Sequence, residues 1–178
     1  MDTRAMEEQL ILVDEEDREV GIMDKLAVHQ QGLLHRAFSV FIFNKKGELL
    51  LQQRADEKYH SGGLWTNTCC SHPRQGEELN VAVPRRLNEE MGMQCPAEFM
   101  FSFTYRMDFD NGLTEHEFDH VYFGRSDDLP QPNPSEVKNF KYIGLEELQK
   151  AIEQKPEDFT AWLKICLPKV QEHFIRET

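Results

Sequence analysis

Residues 36–44, Arg-Ala-Phe-Ser-Val-Phe-Ile-Phe-Asn, are an aromatic and β-branched run that reads as the central strand of a sheet. The rest of the chain has to be arranged around it. Upstream, Leu10–Val13 and Glu19–Met23 flank an acidic turn, Asp14–Asp17, which predicts an opening hairpin. Asp24 is placed to cap a short helix through His29, and Gly32 to end it. Downstream, Lys45-Lys-Gly47 turns the chain into Glu48–Gln53, the second arm of a hairpin with the central strand. Arg54–Leu64 is polar, holds Gly62-Gly63 and reads as a loop. Strands Phe99–Phe109 and Leu113–Gly124 share an Asp110-Asn-Gly112 turn, and Val137–Ile143 supplies the last strand. Three prolines within Leu129–Pro134 make a rigid connector. Leu145–Gln154 and Phe159–Ile175 are amphipathic helices, the second interrupted by Pro168. With no repeat, low-complexity tract or break, the 178 residues read as one domain, 1–178.

Trp65-Thr-Asn-Thr-Cys-Cys-Ser-His-Pro73 packs two thiols, an imidazole and an indole onto a predicted loop that opens the helix Glu77–Met91. Leu79, Val83 and Leu87 form that helix's apolar stripe, and Gly92 is placed to end it. Pro84 is an anomaly, so the helix either starts later or kinks there. Taken alone, the stretch also fits a core Trp65 and Cys69 with His72 as a turn residue. The net charge of −12 argues against nucleic acid or an anionic membrane as partner. A small anionic substrate would need a local cluster of Lys and Arg, or metal ions. Met1–Glu8 has no apolar signal region, no run approaches membrane-spanning length, and four cysteines with Cys69 beside Cys70 are no disulfide framework. These features predict a cytoplasmic protein with reduced thiols.

Glu77, Arg85 after seven intervening residues, then Leu87, Glu89, Glu90 and Gly92 match most of the Nudix box. In that box a loop and helix present carboxylates so that a divalent cation can bridge them to a diphosphate. Ser71 stands where the box has its first Gly, and Arg86 where it has the Glu after Arg. A cation at that place repels metal and attracts phosphate. The chain therefore resembles a Nudix scaffold with its hydrolytic machinery dismantled.

Four stretches extend the resemblance: Gly32-Leu-Leu-His-Arg-Ala-Phe-Ser-Val40, Leu50-Leu-Gln-Gln-Arg-Ala-Asp56, Thr66-Asn-Thr-Cys-Cys-Ser-His-Pro73 and Glu115-His-Glu117. Together they resemble type I isopentenyl diphosphate isomerase, a Nudix-fold family, over nearly the whole chain. The resemblance implies an α+β fold, a Nudix-type α/β/α sandwich with a mixed sheet between helices. It implies a metal site of His29, His35, His72, Glu115 and Glu117. Glu115 and Glu117, two apart on a predicted strand, share a face from which His116 points away. Three imidazoles and two carboxylates suit zinc, manganese or magnesium at five or six coordination.

By the same resemblance Cys70 and Glu117 are the proton-transfer pair, Tyr105 hydrogen-bonds the glutamate, and the ring of Trp162 stabilises a cation. Ala161 stands before Trp162 where the family often has Pro, and Cys69 is left to packing. Which of Cys70 and Glu117 gives the proton stays open. Lys25, Arg54, Lys58 and Arg86 match diphosphate-binding positions, and Glu90 the ligand of a magnesium ion that also binds the diphosphate. Four cations and a metal let an acidic chain hold a multiply charged anion. The implied reaction isomerises isopentenyl to dimethylallyl diphosphate through a tertiary carbocation, for isoprenoid biosynthesis, in a monomer or weak homodimer. Two other readings compete: a Nudix hydrolase using Glu89 and Glu90, and a catalytically silent metal-binding module.

Overall fold

A computed structural model describes residues 9–177. The elements in order are β1 (Gln9–Val13), β2 (Glu19–Asp24), α1 (Lys25–Gln31), β3 (His35–Phe43), β4 (Leu49–Arg54), β5 (Trp65–Thr66), β6 (Cys69–Ser71) and α2 (Leu79–Met91). They continue with β7 (Ala97–Asp108), β8 (Thr114–Arg125), β9 (Val137–Ile143), α3 (Leu145–Gln154), a 3₁₀ turn at Pro156–Asp158 and α4 (Ala161–Glu177).

β3 is central, as its composition predicts. One edge pairs in parallel with β8 along its whole length, from His35 opposite Glu117 to Phe43 opposite Arg125. The other edge is shared by three antiparallel partners: β1 at His35, β6 at Phe38–Val40 and β4 at Phe43. This corrects the expected hairpin. β3 and β4 meet only at Phe43 and Leu49 and then part, because β5 takes the edge of β4 that faces β3 and β6 fills the gap beside β3, while β9 pairs along the other edge of β4. The stretch expected to be a loop is therefore partly strand at Trp65–Thr66 and Cys69–Ser71.

Side chains alternate along β3, and both faces are buried. Phe41 and Phe43 pack with Val121 and Phe123 of β8 against Leu148 of α3 and Leu163, Leu167 and Val170 of α4. Phe38, Val40 and Ile42 pack on the other side against Ala82, Val83, Leu87 and Met91 of α2. Helices thus cover both faces of a mixed sheet, the sandwich anticipated above.

The opening hairpin and the cap of α1 form as expected, Asp24 Oδ2 accepting from the N–H groups of Leu26 and Ala27. Gly32 ends α1 in the left-handed conformation, φ 66°. α2 starts at Leu79, two residues later than predicted, and continues through Pro84. The proline removes only the N–H that would bond the carbonyl of Asn80, one turn from the helix start. α4 likewise runs unbroken through Pro168, and its predicted start at Phe159 is shifted to Ala161 by the 3₁₀ turn. The proline-rich connector returns along the end of α2, with the N–H groups of Gln131 and Asn133 donating to the carbonyls of Met91 and Glu90.

Candidate active site

The face of the sheet that carries Phe41 and Phe43 changes character along β3. At its other end the same alternation presents His35 and Ser39, and β8 adds Glu115, Glu117 and Asp119 in register. Tyr105 of β7 lies opposite Glu117. β6 brings Cys70 opposite Ser39, while Cys69 and Ser71 turn to the α2 side. The adjacent cysteines therefore separate: Cys69 is fully buried in the α2-side core, and Cys70 enters the site. α1 supplies His29, the turn after β6 supplies His72, and α4 closes the site with Trp162. A narrow cleft is lined by Cys70, Glu117, Tyr105, Trp162, Arg54 and His60 among others.

The predicted ligands converge. Ligand atoms of His35, His72, Glu115 and Glu117 lie within 4.8 Å of one another, and His29, His60 and Glu115 form a second such group sharing Glu115. His29 Nδ1 lies 2.7 Å from the Lys25 carbonyl and His35 Nδ1 lies 2.9 Å from that of Leu33. A carbonyl only accepts, so both Nδ1 atoms carry the proton, and in the neutral rings both Nε2 lone pairs are free. Those lone pairs face carboxylate oxygens: His29 Nε2 is 2.9 Å and His35 Nε2 3.6 Å from Glu115 Oε1. His72 Nε2 is 3.6 Å from Glu117 Oε1, and the buried Nε2 atoms of His35 and His72 have no hydrogen-bond partner. Lone pairs aimed at anions are what a cation between them would relieve, so this donor set fits a divalent metal. His116 stands outside it, its Nδ1 on the Gly32 carbonyl.

The carboxylates divide their protons. Burial pushes both up, but Glu117 and the ring nitrogens of His29, His35 and His60 gathered around it hold Glu115 well below the usual range. Burial and then the charge of Glu115 hold Glu117 well above it. In the metal-free site Glu115 is the anion and Glu117 the acid. Burial, followed by the charge of Asp119, pushes the Cys70 thiol up to about 12. Its sulfur receives the indole N–H of Trp162 at 3.1 Å, and its S–H donates to Asn67 Oδ1 at 2.9 Å. Asn67 spends its own N–H groups on the carbonyls of Val40 and Cys69, which leaves only its oxygen for the thiol. Burial and then Glu117 push Tyr105 well above its ordinary value.

The predicted cations are brought near one another, each already engaged. Lys25 Nζ sits over the Tyr59 ring at 4.2 Å, and burial, then the charge of Lys58, lowers it to about 8. Arg54 stacks over Trp162 and donates to the His60 carbonyl, while its buried Nε is unpartnered. Lys58 pairs with Glu136 at 2.6 Å. Arg86 donates to Ser71 Oγ, Glu89 and Glu90, and Glu136 lies 3.6 Å away. Glu90 is itself buried, held by Arg86 Nη2 at 2.7 Å and Gln52 Nε2 at 3.1 Å. Both carboxylates that a Nudix hydrolase would give to its metal are thus occupied by the arginine that departs from the box.

Sequence reasoning missed four side chains that complete the site: His60, Ser39, Asp119 and Asn67. Ser39 Oγ donates to Asp119 Oδ2 at 2.7 Å and lies 3.6 Å from Cys70 Sγ. Burial raises Asp119 to about 7, although the Ser39 hydroxyl works against it.

A NUDIX domain family model matches residues 33–163. An isopentenyl-diphosphate Delta-isomerase of Pectobacterium atrosepticum is 52% identical over 166 residues, 93% of each chain. An isopentenyl-diphosphate Delta-isomerase 2 of Aromatoleum aromaticum is 53% identical over 165 residues, covering 93% of this chain and 87% of that one. Among solved structures, DR0079 from Deinococcus radiodurans superposes with TM-score 0.77 at 23% identity, covering 91% of this chain and 98% of the other, a likeness of fold.

Proposed function

The chain belongs to the isopentenyl-diphosphate Delta-isomerases of the NUDIX superfamily, and from that premise we propose how its residues move the double bond of isopentenyl diphosphate to give dimethylallyl diphosphate. The observation that carries the reading is the placement of Cys70 and Glu117 on one buried face beneath Trp162, beside a ligand set suited to a divalent ion. The alkene is unactivated. Protonating its terminal carbon makes a tertiary carbocation, and loss of a proton from the carbon next to the cation, on the diphosphate side, completes the shift. One of Cys70 and Glu117 gives a proton and the other accepts one, so each turnover moves one proton between them and must be followed by its return.

Trp162 orients the thiol through its indole N–H, and its ring offers a π-face to the cation. Tyr105, in register with Glu117, supports the carboxyl. The closed site keeps water from the carbocation. Lys25, Arg54, Lys58 and Arg86 receive the diphosphate, exchanging the carboxylates that hold Lys58 and Arg86 for phosphate oxygens. A zinc, manganese or magnesium ion at His29, His35, His72, Glu115 and Glu117 would balance the two carboxylates and fix the orientation of Glu117. Glu90 would hold a magnesium ion that supplies positive charge for the diphosphate, once Arg86 releases that carboxylate in favour of phosphate. We read the protein as a single domain, 1–178, working in the cytoplasm as a monomer or weak homodimer, without nucleic acid or membrane. The net charge of −12 speaks against nucleic acid and an anionic membrane as partners, and among the described residues no helix is long and apolar enough to cross a membrane.

Incubation with isopentenyl diphosphate and a divalent metal in deuterated water, followed by NMR, tests the reading. The expected product is dimethylallyl diphosphate with deuterium in the new methyl. Cys70→Ala and Glu117→Gln should each abolish its formation while the fold persists, and wild-type turnover in either would sink the assignment. Free phosphate with an unmoved double bond would instead restore the hydrolase reading.

A further inference from the structure

His60 belongs to no motif singled out in the sequence. It lies in the loop between β4 and β5 that also carries Arg54 and Lys58, and it is only 5% exposed. Its Nε2 is 2.7 Å from Glu115 Oε2, while Glu115 Oε1 is the oxygen turned to His29 and His35. Ser61 Oγ lies 3.1 Å from Nδ1, so a hydroxyl proton given to Nδ1 leaves the ring proton on Nε2, beside the carboxylate. The ring stacks on Phe109 at 4.6 Å and 13°, and meets Trp162 edge-on. Its backbone carbonyl receives Arg54 Nη2. The loop is also seated on the tip of the β7–β8 hairpin, where Asn111 Nδ2 donates to the Tyr59 carbonyl.

We propose that His60 is a positioning residue of the metal centre, holding Glu115 Oε2 so that Glu115 offers Oε1 alone to the ion. This rests on reading the His and Glu cluster as a metal site. The other role open to His60 is to hold a second ion with His29 and Glu115, since these three form a group of their own. Charge decides against that role. Glu115 and Glu117 neutralise one divalent ion, and a second buried dication would stand uncompensated. The short Nε2 contact is not aligned as a hydrogen bond as it stands. A small rotation of the Glu115 carboxylate would align it, and His60 would then favour the orientation that presents Oε1 to an ion. A partner of this kind, set behind a ligand, is typically worth 10–100-fold in metal affinity. Because the same loop carries Arg54 and Lys58, His60 also ties the seat of the diphosphate to the metal ligand.

The test is titration of chelator-treated protein with Mn²⁺, with free ion read by EPR, for the wild type, His60→Phe and His60→Gln. Phenylalanine keeps the ring stacked on Phe109 and loses the nitrogen, whereas glutamine loses the ring and can keep an N–H donor. The wild type should bind one ion, His60→Phe should bind 10–100-fold more weakly, and His60→Gln should fall within a few-fold of the wild type. Packing alone would reverse that order, and reversal, or equal affinity in all three, overturns the proposal. Two ions per wild-type chain, with one lost in His60→Phe, would overturn it in favour of a second site. A wild type that binds no Mn²⁺, Zn²⁺ or Mg²⁺ would remove the metal-centre reading itself, and this proposal with it.

Discussion

Asp119→Asn should make the metal-free protein more stable, by an amount set by pH. Asp119 is 1% exposed, its Oδ1 has no hydrogen-bond partner, and its Oδ2 has only the Ser39 hydroxyl. Burial raises it from an ordinary 3.8 to about 7. An acid whose folded-state pKa is raised costs nothing below its unfolded pKa, where both states are protonated. The penalty then grows with pH and levels off above the folded pKa. At about 1.4 kcal/mol per pH unit, the full penalty is about 4 kcal/mol. Asparagine keeps an oxygen for Ser39 and has no proton to lose, and its unpartnered amide N–H subtracts about 1–3 kcal/mol at every pH. Urea unfolding in chelator should therefore give a stability difference, variant minus wild type, that rises by about 1.4 kcal/mol per unit from pH 5 and flattens above pH 7. Groups away from the site titrate alike in both proteins and cancel, whereas Glu117 and Cys70 lose the push of the Asp119 charge in the variant and add to the same upward trend. A difference independent of pH, or one that falls as pH rises, would refute the reasoning.

Lys25, lowered to about 8, is a cation below that pH and neutral above it. Affinity for inorganic diphosphate should therefore decline as pH passes 8, relative to Lys25→Met measured alongside; a constant ratio by calorimetry would contradict this. Phe41 is fully buried between β3 and α4, so Phe41→Ala should cost about 3–5 kcal/mol in denaturant unfolding, and a loss below about 1 kcal/mol would mean the site collapses around the gap.

Much of the candidate site was legible because its side chains obey local rules. Glu115 and Glu117 share a face through the two-residue period of a strand, and the strand was plain from its composition and turn. The boundaries of α1 were legible because Asp24 and Gly32 act within one turn of each end. The parting of β3 from β4 was not legible, since it depends on the segment after β4 folding back between them, with Trp65–Thr66 on the edge of β4 and Cys69–Ser71 on the edge of β3. That insertion makes a strand of Cys69–Ser71, and hence sends Cys69 and Cys70 to opposite faces. Ser39 and Asp119 lie inside apolar strands, where a polar residue has no pattern to announce whether it meets solvent or a partner. His60 looks like a loop residue until Phe109, from the far hairpin, closes over it. That Arg86 stands where the Nudix box has Glu is plain in the sequence, but its grip on Glu89 and Glu90 needed the helix geometry.

The parallel pairing that sets His35 beside Glu117 also governs how such a chain can change its length over generations. Inserting or deleting a single residue within a strand turns everything beyond it to the opposite face. In β8, loss of one residue between Glu117 and Val121 would bring a carboxylate of the candidate site and a core contact out of phase, so no single step of that kind leaves both intact. The hairpin tip would normally absorb such changes, but Phe109 and Asn111 tie it to the loop of Arg54 and Lys58. Change across this half of the molecule should therefore proceed by replacement of one side chain by another, with the spacing from Tyr105 to Phe123 kept.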